Sequence, residues 1–109
     1  MTKEDSIIIG ENLRELKFSR VDHVNRLLRS VYSVRQMNTY VAEQLTKNKI
    51  ANPNPIDDFD FVQFSENISY LTGETHSEEN EKKYTAIYSE VNSLCWRILD
   101  LGNKHNIWE

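Results

Sequence analysis

Three histidines, one cysteine and a run of aspartates are the side chains through which this sequence could do chemistry. Zinc takes four N, S or O ligands, and a sequence-local site brings them in at short spacings. His23, His76 and His105 are far apart, so a zinc site would have to be assembled wholly by the fold. Cys95 falls on an apolar helical stripe, where a thiol behaves as a small hydrophobe rather than as a nucleophile. Asp57, Asp58 and Asp60 read as the acidic opening of a helix, favourable at its positive end, and not as a catalytic pair. No catalytic residue, metal or cofactor is expected, and the chain is expected not to be an enzyme.

What remains is recognition chemistry. Arg26, Arg29, Tyr32, Arg35 and Tyr40 combine positive charge with aromatic area and lie outside the apolar seam of their helix. Arginine and aromatic side chains dominate binding hot spots, so these five are the expected contacts for a protein or nucleic-acid partner. Trp96, on the outward side of the last helix, and Trp108 are further exposed-aromatic candidates. Asn38 interrupts an otherwise apolar row. An amide at such a position costs stability unless partnered, and its best-attested use is to set register and oligomeric state.

These side chains must be positioned by helices. The spacing predicts an all-α bundle in a single domain over residues 1–109, with two long heptad-patterned helices at about 20–47 and 76–101. Two shorter helices are predicted at about 6–17 and 57–72. In the first long helix Val24, Val31, Asn38 and Leu45 fall at position a, and Leu27, Val34 and Val41 at d. Ser19 is its expected N-cap, with Asp22 in capping-box position, and Asn52-Pro53-Asn54-Pro55 its expected stop. The last helix repeats the pattern, with Tyr84, Val91 and Ile98 at a and Ile87, Leu94 and Leu101 at d. It is expected to open at Thr75 and close at Gly102. The shorter helices carry Ile9, Leu13 and Leu16, then Phe61, Phe64, Ile68 and Leu71, on one face each, and Gly73 is expected to end the second.

Composition narrows the class. With 109 residues, 39% hydrophobic and 28% charged, the chain can bury a core without staples. The lone Cys95 forms no internal disulfide and points to a reducing compartment. Ile7, Ile8 and Ile9 are too short a run for a signal segment, and no stretch approaches a membrane span, so a cytoplasmic location without membrane contact is expected. The net charge of −4 is unevenly placed. Residues 12–49 hold eight basic against three acidic side chains, and residues 50–90 two against nine. Such asymmetry suits either an anionic partner or neutralisation between the two halves.

Three segments resemble parts of two known families. Ile9-Gly-Glu-Asn-Leu-Arg-Glu-Leu-Lys17 resembles the opening helix of Cro/CI-type (Xre) helix-turn-helix regulators, and Tyr70-Leu-Thr-Gly-Glu74 the segment that closes that domain. The resemblance implies a DNA-binding transcription regulator in which Ser30 caps a recognition helix. Tyr32, Ser33, Arg35 and Gln36 would then face the major groove, with Arg26 and Arg29 near phosphates. It requires a turn at residues 28–30. Glu90-Val-Asn-Ser-Leu-Cys-Trp-Arg-Ile-Leu-Asp-Leu-Gly102 resembles the second metal-binding helix of MazG-like all-α nucleotide pyrophosphohydrolases, with Ser93 where that pattern has aspartate. The reading preferred from the residues is a non-enzymatic helical protein-binding or assembly module, a small regulatory or adaptor protein whose partner is another protein or a second copy. The alternative is the DNA-binding regulator.

Overall fold

A computed structural model of the chain describes residues 1–51, 58–71 and 77–109. Four helices follow one another: α1 (Lys3–Arg14), α2 (Val21–Lys47), α3 (Asp58–Leu71) and α4 (Glu78–His105). The all-α class expected from the sequence is what the chain adopts. α2 has 27 residues and spans about 40 Å at 1.5 Å per residue, most of the molecule's 47 Å length. It packs against each of the other three helices, and α4 does the same from the other side of the core.

The helix starts show how local chemistry sets an element's limits. α1 begins earlier than expected, because Thr2 and Asp5 form a capping box: Asp5 N–H donates to Thr2 Oγ1 at 3.1 Å, and Thr2 N–H to the Asp5 carboxylate at 3.4 Å. α2 is not capped by Ser19. Its N-cap is Arg20, whose side chain makes no capping bond. The turn before it is held instead by His23, whose Nδ1 accepts the Lys17 N–H at 2.8 Å with the ring 6% exposed. α4 opens on Ser77, whose hydroxyl accepts the Asn80 N–H at 3.1 Å. The expected cap Thr75, the expected stop Gly73, Asp57, His76 and the Asn52–Pro55 segment lie outside the described residues.

Both long helices end in the same way. After α2, Lys49 takes a left-handed conformation (φ 58°), Ile50 N–H reaches back to Leu45 O at 2.8 Å and Lys49 N–H to Thr46 O at 3.0 Å. After α4, Asn106 is left-handed (φ 50°), Ile107 N–H reaches Gly102 O and Asn106 N–H reaches Asn103 O, each at 3.2 Å. These are Schellman-type closures, and a following isoleucine packs against the core in each case. α2 therefore stops by its own backbone bonds at Lys47, ahead of the prolines. Gly102, expected to end α4, lies inside it and is buried.

The reason lies in tertiary contact. The reversal after Asn106 folds Trp108 back over Gly102, where a Cβ would collide with the indole. Gly10 of α1 plays the same part for Trp96 of α4, with a Cβ there 2.8 Å from Trp96 Cζ2. Each glycine is a seat for a tryptophan ring.

The buried rows follow the expected stripes with two shifts. On α2, Val24, Leu27, Val31, Val34, Val41 and Leu45 are buried, together with Met37, while Asn38 is only half-buried. Three neighbouring helices cover a wider arc of α2 than a two-helix seam would, so a residue beside the seam is enclosed as well. On α4, Leu94 and Leu101 are half-buried, and Cys95, Leu99 and Gly102 take the enclosed positions. That is the drift of a straight 3.6-residue helix away from a strict seven-residue repeat.

Candidate functional site

α2 and α3 cross the core side by side, each with one face buried and one turned outward. α3 buries Phe61, Phe64, Ile68 and Leu71, and this leaves Val62, Glu66 and Tyr70 in an outward row at successive helical turns. On α2 the outward neighbours are Tyr32 and Arg35. Between the two rows runs a groove of about 660 Å³ floored by Val31 and Phe61, with Ser65 and Ser69 supplying hydroxyls along the α3 wall. Tyr70 is 80% exposed, Tyr32 62% and Val62 44%; these are three of the four large apolar side chains found exposed among the described residues, and all three border this groove. Single exposed hydrophobes are ordinary, but three converging on one concavity form a patch.

The expected contact residues divide around it. Tyr32 and Arg35 line the groove. Arg29 sits one turn before Tyr32, exposed, and makes no ion pair with another described residue. Arg26 is exposed and lies 3.8 Å from the Asp22 carboxylate one turn earlier. Tyr40 borders another, smaller depression with Tyr32 and Arg35. Its role there is largely internal: the hydroxyl donates to Ile107 O at 3.1 Å, and the ring stacks on Trp108 at 5.9 Å between centroids, 9° from parallel. Desolvation, and secondarily the Glu109 charge, raise the Tyr40 phenol above its ordinary value and favour the protonated donor.

Both tryptophans expected on the surface are half-buried. Trp96 rests on Gly10, Arg14 lies 4.1 Å over its ring, and Nε1 donates to Asn92 Oδ1 at 3.2 Å. Trp108 rests on Gly102 and donates to Asn103 Oδ1 at 2.8 Å. Heptad position alone marked Trp96 as outward; α1 docks on that side of α4 and half-buries it.

Among the described residues the chemistry-bearing side chains do not assemble. Cys95 is fully buried, and burial pushes its thiol up to about 12. His105 lies ten residues further along the same helix, about 15 Å away at 1.5 Å per residue. His23 is spent on the Lys17 amide. Among the described residues no three His, Cys, Asp or Glu side chains gather in a cluster. Glu90 and Ser93 border a depression between α3 and α4 with Gln63, Asn67 and Arg97, whose lining holds a single carboxylate. No helix among them is long and apolar enough to cross a membrane.

Compared with known proteins, the chain matches no family model, no curated protein and no solved structure. The geometry of the groove therefore carries the functional reading. Its α3 wall went unnoticed in the sequence because Val62 and Tyr70 are off the apolar stripe of their own helix. That was also the available signal, since large apolar residues eight positions apart, about two helical turns, outside a satisfied stripe ask for another partner.

Proposed function

We propose that this protein is a non-enzymatic helical binding or assembly module, a small regulatory or adaptor protein of the cytoplasm, that docks another protein chain in the α2–α3 groove. The observation that carries the reading is the convergence of Tyr32, Val62 and Tyr70, all exposed, on one concavity that Arg35 also lines. Aromatic anchors with a guanidinium at the edge are the usual centre of a protein interface. Asn38, half-buried in the middle of α2, is assigned a part in fixing how copies or partners register.

The DNA-binding reading needs a turn at residues 28–30, so that a recognition helix can leave the body of the domain. α2 is helical without interruption from Val21 to Lys47, which favours the docking module. The two readings part on salt. A DNA binder loses affinity for mixed-sequence duplex steeply between low and physiological salt, whereas the module is expected to show no duplex binding at low salt. The docking reading is tested by affinity capture from the native cells, comparing the wild type with the Tyr32→Ser/Tyr70→Ser variant. Proteins retained by the first and lost by the second support it; identical capture by both would sink it.

A further inference from the structure

We draw no further inference here: the strongest candidate, the apolar groove between α2 and α3 that Tyr32, Val62 and Tyr70 border, is the docking site already described, and nothing in the structure shows what covers it.

Discussion

Gly102 and Tyr84 show how much a single position can depend on what lies across from it. A glycine-to-alanine change inside a helix ordinarily gains about 1 kcal/mol. At Gly102 the added methyl would drive into Trp108 and undo the Tyr40–Trp108 stack. Gly102→Ala is therefore expected to cost about 1–3 kcal/mol, and a red-shifted tryptophan emission should accompany the lower melting temperature. Gly10→Ala, with its closest approach at 2.8 Å to Trp96, should cost less. Tyr84 is buried between Phe18 and Tyr88, and its hydroxyl has no hydrogen-bond partner among the described residues. Burial, helped by Tyr88, pushes its phenol up to about 12 from 10.0, and burial pushes the Cys95 thiol up to about 12 from 9.0. Both groups stay protonated in the folded state at a pH where the unfolded chain ionises. Their contribution to stability is thus complete below about pH 9 and falls as pH climbs from there towards 12. Melting temperatures across that window should drop for the wild type. Tyr84→Phe should flatten part of the decline and, by removing an unpaired buried hydroxyl, gain about 1 kcal/mol at neutral pH. A neutral-pH loss on that substitution would mean the hydroxyl does find a partner.

At the scale of the element, the ends of α2 leave stability unused. Its N-cap, Arg20, has an extended backbone suited to capping (φ −114°, ψ 122°) and a side chain that cannot accept an amide hydrogen. Arg20→Ser should raise stability by about 1 kcal/mol. At the other end Lys49 holds the left-handed position of the closing motif, which costs an L-residue about 1 kcal/mol that glycine avoids. Lys49→Gly is expected to gain most of that, measured by urea unfolding with unchanged m-value. The turn into α2 works the opposite way. His23→Ala would leave the Lys17 amide without its acceptor and should lose about 1–3 kcal/mol. His23→Asn, whose Oδ1 lies close to where Nδ1 was, should recover part of it.

For the molecule as a whole, the enclosed and open faces of α2 separate folding from recognition. Leu27 is fully buried, and Leu27→Ala should cost about 2–5 kcal/mol with helical signal lost in a single transition, because α2 supports all three other helices. Tyr32→Ser, only five positions away but 62% exposed, should change stability by less than about 0.5 kcal/mol while removing partner binding. If the two substitutions proved equally destabilising, Tyr32 would be structural and the groove would lose its main anchor. The uneven charge of the sequence has its place at this scale too: Arg35 of α2 and Glu66 of α3 line the groove from different helices, so opposite signs meet there.

The sequence by itself determined the helical class, the approximate spans of the four helices and most of the buried rows, because apolar periodicity is a local property that backbone geometry converts directly into a face. It also picked out Tyr32 and Arg35 as side chains left over once the α2 stripe is satisfied. Three things were decided only by the tertiary structure. Whether an off-stripe residue stays open depends on which neighbour docks there: α1 half-buries Trp96, while Tyr32 and Tyr70 remain exposed. Whether a glycine ends a helix or receives a ring depends on where the chain turns back, as Trp108 does over Gly102. And the groove itself exists only because α2 and α3 lie side by side, which brings Val62 and Tyr70 to Tyr32 across a separation in sequence that no local pattern spans.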